Sequence, residues 1–284
     1  MARDVEQDSG ALSVVTGGTD FIASHIILQL LHAGYTVRAT IRASSREKEL
    51  QSTIRNAGGN VEKLSFFVAD LTEDEGWAKA MNGCAFGTLR MLKFAHNAGV
   101  KRMVLTSSFA AIGFGHEQIP LFTEKHWSKT LAEKSAWDFM QQEGEALEVA
   151  VINPTGVLGP VSFGVVDVRD LADLHIRAMT NPAASGPRFI ATCDEGLATM
   201  IDISNMLRDS IPDRAQRLPT KGLPNFLVRF VALFVPKLRD IIPELGLSKQ
   251  ITNDKSNSVY GWNYRSIEEC IADTAASLVK HGVV

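Results

Sequence analysis

Residues 16–23, TGGTDFIA, place Gly17 and Gly18 between a short apolar run, ALSVV, and a segment of helical spacing. Glycines at a strand-to-helix turn let a diphosphate approach the backbone and meet the helix N-terminus, whose N–H groups and dipole favour anions. The backbone of Gly17, Thr19, Phe21 and Ile22 is the candidate cradle; without a ligand the same residues make a tight turn. Arg38, Arg42 and Arg46 follow closely. Guanidinium groups suit phosphate through paired hydrogen bonds, and their plain alternative is a solvated basic edge. Asp20 works against an anion. A carboxylate about 5 Å from a phosphate charge repels it by roughly 3 kcal/mol at an effective dielectric of about 20. Over an empty site the same residue is expected to cap the helix, stabilising it by about 1 kcal/mol.

The elements around this turn follow one rhythm. ALSVVTGG reads as a buried strand. FIASHIILQLLHAG reads as a helix, with Ile22, Ile26 and Leu30 on one side and Gly34 at its stop. YTVRATIR is a second strand, SSREKELQSTIRNAGG a charged helix, and KLSFFVADL a third strand ending at Asp70. Alternation of this kind specifies a parallel sheet with right-handed crossovers, a doubly wound α/β fold. The rhythm then breaks: TEDEGWAKAMNGC and TLRMLKFAHNAGV are two helical segments with no strand between them, so one central strand is expected to be missing. KRMVLTSS and LEVAVINP are the next strands, flanking the helix SKTLAEKSAWDFMQQEG. Beyond residue 154 the pattern is less regular: FGVVDV and PRFIATC read as strands. Asp170 is placed as the cap of LADLHIRAM, and DISNMLRDS, 223–235 and SIEECIADTAASLVKHG read as helices. The expected organisation is a polar lead-in over 1–10, a dinucleotide-binding domain over 11–153 and a smaller α+β region over 154–284.

Bulk properties exclude several classes. The chain has 284 residues, 45% hydrophobic and 21% charged, with a net charge of −3, so no basic field points to nucleic acid. Cys84, Cys193 and Cys270 are scattered, without metal-ligand spacing, and suit a reducing compartment such as the cytoplasm. The start, MARDVEQDSG, has neither a signal-peptide nor a transit-peptide pattern. FLVRFVALFV, 226–235, is too short to span a bilayer and is interrupted by Arg229. It is expected to pack on the domain as an amphipathic helix, with contact to a membrane or partner as the lesser alternative; neither nucleic acid nor membrane is an expected partner.

The chain resembles the extended short-chain dehydrogenases/reductases, and within them the dihydroflavonol-reductase-like NADP(H)-dependent carbonyl reductases. The resemblance runs nearly end to end through VVTGGTDFIASHI, GYTVRATIR, ADLTEDEGW, VKRMVLTSSFAAIG, SKTLAEKSAWDF, VINPTGVLGP, VDVRDLADLH and GWNYRSIEE. It implies a Rossmann domain, a smaller substrate domain, hydride transfer between NADP(H), rather than NAD, and a small-molecule carbonyl, and a monomer or homodimer. Gly17 and Ala23 match the first and third positions of the family's glycine turn, while Asp20 replaces its middle glycine. The resemblance places Arg42 at the 2′-phosphate, Asp70 and Leu71 beside the adenine, and Asn153, Pro154 and Thr155 beside the nicotinamide. Ser108 matches the catalytic serine, and Lys129 the catalytic lysine that grips the nicotinamide ribose.

Three departures stand against this pattern. The family's catalytic tyrosine should precede Lys129 by four residues; that position is Lys125, and no tyrosine lies between Tyr35 and Tyr260. Segments that the family carries are missing at Cys84–Thr88, at Trp127–Ser128 and at Pro160–Val161. His126 is the one nearby group whose ordinary pKa suits a replacement acid, although it is one position out of register, and its plain reading is a loop residue. Three readings follow: a carbonyl reductase impaired by the lost acid; a non-catalytic remnant that binds a nucleotide or a protein; or a defective gene product with coding segments skipped.

Overall fold

The computed structural model describes residues 11–69, 87–113, 121–127, 131–143, 146–155, 163–195, 197–222, 224–231, 233–235 and 250–282. The chain forms two compact units. The first comprises Met1–Ser107, Thr130–Ile152 and Val168–Arg188; the second comprises Ser108–Lys129, Asn153–Asp167 and Phe189–Val284.

In the first unit, β1 (Leu12–Val15), α1 (Phe21–His32), β2 (Thr36–Ile41), α2 (Glu47–Asn56) and β3 (Leu64–Val68) build a parallel sheet in the order β1-β2-β3. Leu12 pairs with Thr36, and Val37 with Leu64. The apolar residues that mark these segments in the sequence make its core: Ile27, Leu30, Val37, Ala39, Ile41 and Ile54 are all buried. Gly34 carries φ +91°, the left-handed stop expected where α1 turns into β2. The unit continues through α3 (Gly87–Asn97), β4 (Arg102–Thr106), α5 (Leu131–Gln142), most of β6 (Glu148–Pro154) and α6 (Val168–Thr180). β4 and β6 are parallel, from Arg102 opposite Glu148 to Thr106 opposite Ile152.

The doubly wound α/β class is therefore as expected from the sequence. Among the described residues, no strand pairs with the second edge of β1 or of β4, the place where the missing strand was expected. Residues 70–86, which hold the Cys84 side of that junction, lie outside the described residues, as do the helix expected there, Asp70 and Leu71. Two helices hold the β1 and β4 strand sets together without a ladder. Met91 and Phe94 of α3 are buried against Val14 of β1, Phe67 of β3 and Met103 of β4. α6 packs along both α1 and β4, with Ile176 inside the α1–β2 core. Asp170 does not cap α6: the helix starts at Val168, two residues earlier, and Asp170 is buried in its first turn.

The second unit is a smaller mixture of α and β. It contains α4 (Ala110–Gly113), β5 (Leu121–Phe122) parallel to β10 (Gln250–Ile251), and β7 (Phe163–Gly164) antiparallel to β9 (Leu197–Ala198). The strand expected over FGVVDV is thus only two residues long. β8 (Arg188–Ala191) begins at the last residue of the first unit. α7 (Met200–Ser210) opens with a complete capping box, Thr199 with Asp202, and packs on α10 (Ile267–Lys280) through Ile203 and Ile267. α9 (Asp254–Tyr260) ends at Gly261, φ +61°, and the Tyr264 hydroxyl behind it donates to Ser256 Oγ at 2.9 Å. The segment 224–235 forms α8 (Asn225–Val231) and a further turn. It departs from its expected packing, because Phe226, Phe230, Leu233 and Phe234 are exposed.

Candidate functional site

The glycine turn sits in the first unit, and Thr40 of β2 pins it. The Gly17 N–H donates to Thr40 Oγ1 at 3.1 Å and the Gly18 N–H to Thr40 O at 2.8 Å. Gly17 has φ +64°, and a Cβ on Gly18 would stand 2.9 Å from that of Ala39, so both positions need glycine. Asp20 has the dihedrals of a helix cap, but its side chain makes no capping hydrogen bond. Its carboxylate folds back over the turn, where Oδ2 would lie 2.7 Å from a Cβ on Gly17. The expected capping is therefore corrected, and the first-turn N–H groups of α1 are not taken by this side chain. Thr19 and Ile22 are half-buried beside them, and Phe21 is exposed with its ring edge-on to His25. Glycines at 17 and 18 and first-turn amides left uncapped by Asp20 suit an anion, and the charge of Asp20 opposes one.

The three arginines separate clearly. Arg38 stacks over the Phe67 ring at 5.5 Å, and Arg46 pairs with Glu49 at 2.7 Å. Arg42 stands exposed one residue past the end of β2, placed for an anion at the strand terminus.

The second unit brings Ser108 and the Asn153–Thr155 loop together. Asn153 Nδ2 donates to the Ser108 carbonyl at 3.1 Å, and the Phe109 N–H to the Pro154 carbonyl at 2.9 Å. Asn153 is fully buried, and Thr155 is anchored by its N–H and its hydroxyl to the Ala191 carbonyl, at 2.9 and 3.0 Å. The Ser108 hydroxyl is exposed and accepts the Ala110 N–H at 3.1 Å, which starts α4. His126 is half-buried in the turn after β5; its Nδ1 accepts the Thr123 N–H at 3.1 Å, and its ring lies edge-on to Phe122. Lys129 lies outside the described residues, as does the Trp127–Ser128 junction on its Ser128 side. The Pro160–Val161 junction also lies outside them.

Sequence reading missed the groups that hold this frame. Just past the end of β4, Ser107 is half-buried and Ser108 exposed. Ser107 Oγ donates to Glu133 Oε2 at 2.6 Å. Glu133, four residues after Lys129 in the sequence, is buried on α5 and accepts from Arg188 Nε at 2.5 Å and from Trp137 Nε1 at 3.4 Å. The only trace in the sequence is a glutamate in an otherwise core-facing helical register.

Thr106 is tied in the same way. His175 Nδ1 donates to the Leu171 carbonyl at 2.7 Å, which leaves Nε2 to accept the Thr106 hydroxyl at 2.7 Å. Burial pushes the His175 imidazole down to about 4 from 6.5, partly offset by the Leu171 bond. The unfolded chain therefore binds a proton between pH 6.5 and 4 that the folded chain refuses. Stability is intact above pH 6.5 and is lost as pH falls, by about 3 kcal/mol from this group. Urea unfolding at pH 7 and pH 4 should show the loss in the native chain and a smaller one in His175→Gln; equal losses would remove His175 as the cause.

Comparison with known proteins places these features. No family model matches the chain. It is 30% identical over 272 residues to tetraketide alpha-pyrone reductase 2 of Arabidopsis thaliana, covering 70% of this chain and 83% of that protein. It is 27% identical over 338 residues to cinnamoyl-CoA reductase CAD2 of Medicago truncatula, covering 95% and 96%. That alignment is longer than this 284-residue chain, as internal segments present only in the relative require. Among solved structures, yeast methylglyoxal/isovaleraldehyde reductase Gre2 complexed with NADPH superposes with a TM-score of 0.75 at 23% identity, over 96% of this chain and all of that one, and so shares the fold.

Proposed function

Because the chain belongs to the dihydroflavonol-reductase-like short-chain dehydrogenases/reductases, we propose that it is an NADP(H)-dependent oxidoreductase for a ketone or aldehyde, slowed by the loss of its tyrosine acid. The observation that carries the reading is the Thr40-pinned glycine turn with uncapped α1 amides, in a chain whose relatives are named as reductases.

Bound NADPH would supply the hydride. The amides of Thr19, Phe21 and Ile22, on the turn that Thr40 pins through the Gly17 N–H, would hold its diphosphate, with Gly17 giving the close backbone approach, and Arg42 would hold its 2′-phosphate. By the resemblance, Asp70 and Leu71 would flank the adenine, Lys129 would hold the nicotinamide ribose, and Asn153, Pro154 and Thr155 would line the nicotinamide side. Ser108 donates its hydroxyl to the carbonyl oxygen of the substrate. The resemblance supports these roles, and among the described residues none is assigned the proton delivery of the missing tyrosine.

A non-catalytic nucleotide-binding module is the second reading, favoured by Lys125 standing where the family's tyrosine should be. NADPH fluorescence titration with turnover of a panel of ketones and aldehydes separates the two. Saturable binding with slow, enzyme-dependent NADPH oxidation supports the reductase, and binding without oxidation supports the module. Asp20→Gly should tighten NADPH binding between about fourfold and about two-hundredfold, the range given by water-like and protein-like screening of a charge about 5 Å away. An unchanged dissociation constant would remove Asp20 from the account.

A further inference from the structure

α8 and the turn after it are built inside out. Pro224 opens the helix, its carbonyl accepting the Leu227 and Val228 N–H groups, and the Val231 carbonyl accepts that of Val235. Leu227, Val228 and Val231 are half-buried and anchor the segment to its unit. Phe226, Phe230, Leu233 and Phe234 recur at i, i+4, i+7 and i+8, which puts them on one face of a helix. That face is open: their exposures are 74, 58, 64 and 73%, and the Phe230 and Phe234 rings meet edge-on at 5.6 Å. An apolar patch of this kind marks an interaction surface.

The charge around the patch selects the partner. From residue 214 to residue 235 the chain has no Asp or Glu, and it carries Arg214, Arg217, Lys221 and Arg229 in a protein whose net charge is −3. Arg229 is exposed on α8 between Phe226 and Phe230, and Lys221 is exposed five residues before Phe226. Exposed aromatic side chains flanked by cations on a short helix match the boundary of an anionic bilayer, where rings enter the acyl edge and cations meet lipid phosphates. A second copy fits less well, because a two-fold contact through this face would set its cations against one another. Among the described residues no helix is long and apolar enough to cross a membrane, so this is contact in the plane of the surface.

We propose that the α8 face docks the protein on anionic lipid bilayers, in place of the membrane-free behaviour expected from the sequence. The proposal is independent of the reductase reading, since binding is read without turnover. The test is co-sedimentation of the full chain with vesicles of phosphatidylcholine containing about a third phosphatidylserine, beside vesicles of pure phosphatidylcholine. Analytical ultracentrifugation of the lipid-free chain runs in parallel. The chain should bind the anionic vesicles and lose binding in high salt. Phe230→Ser with Phe234→Ser should weaken binding by about tenfold for each ring withdrawn from the acyl boundary. Arg229→Glu should weaken it by about fivefold or more. Failure to bind anionic vesicles would overturn the proposal, as would equal binding by the double variant. Lipid-free dimerisation abolished by that variant, without vesicle binding, would assign the face to a second copy instead.

Discussion

Turnover of a ketone or aldehyde by this chain should fall at least a hundredfold below that of a reductase from the same family that retains the helix tyrosine. Carbonyl reduction needs a proton as the hydride arrives, and a positioned general acid contributes about 10²–10⁴ in rate. The chain holds three tyrosines, Tyr35, Tyr260 and Tyr264, all buried. Tyr35 lies in the α1–β2 core, Tyr260 stacks on Phe189, and Tyr264 is bonded to Ser256. None is a phenol available to a substrate. His126 has its Nδ1 engaged by its own turn, and Lys125, an exposed ammonium, lacks a phenol's fit to the task. His126→Ala should therefore leave the residual rate within about twofold, far short of the loss that removing a working acid causes. Matched kcat values for the native chain, this variant and a tyrosine-bearing relative check both statements.

The second large effect is on stability. Glu133→Ala should lower the unfolding free energy by about 3–5 kcal/mol, because it leaves the Arg188 guanidinium buried without its counter-charge. Glu133 is 2% exposed and Arg188 6%, so water cannot replace the lost carboxylate. Ser107 loses its acceptor in the same step, and Ser107 immediately precedes Ser108 at the end of β4. Replacing both partners, Glu133→Leu with Arg188→Met, should recover most of the loss, since paired apolar groups of similar volume do not strand a charge. Urea unfolding of the two variants decides this. A loss below about 1 kcal/mol for Glu133→Ala would mean that the pair is solvated and that the ion pair contributes little.

What the sequence makes legible is local. The strand–turn–helix at 12–32, the helix stop at Gly34 and the helix 200–210 each rest on spacing, capping or glycine signals within a dozen residues. The sequence places two helical segments in succession before β4, the first of which lies in 70–86, outside the described residues. Illegible features depend on partners far along the chain. Glu133 meets a residue 55 positions away, and Thr40 holds a glycine 23 positions before it; no periodicity records either contact. The capping expected of Asp20 failed because its side chain lies over the turn. Asp170 failed as a cap because α6 begins at Val168, three residues before the Leu171 start that its apolar spacing suggests. The spacing of 226–235 correctly gives an apolar face, but no spacing rule states whether anything covers it.

A glycine turn of the family's kind stands here without the family's tyrosine, and slow hydride transfer from bound NADPH is the expected consequence. Single-turnover transfer of deuteride from 4-deuterated NADPH to a ketone, with cofactor binding measured on the same sample, tests it most directly. The account predicts saturable NADPH binding followed by transfer at no more than about a hundredth of the rate in a tyrosine-bearing relative. Binding followed by transfer at the relative's rate would contradict it.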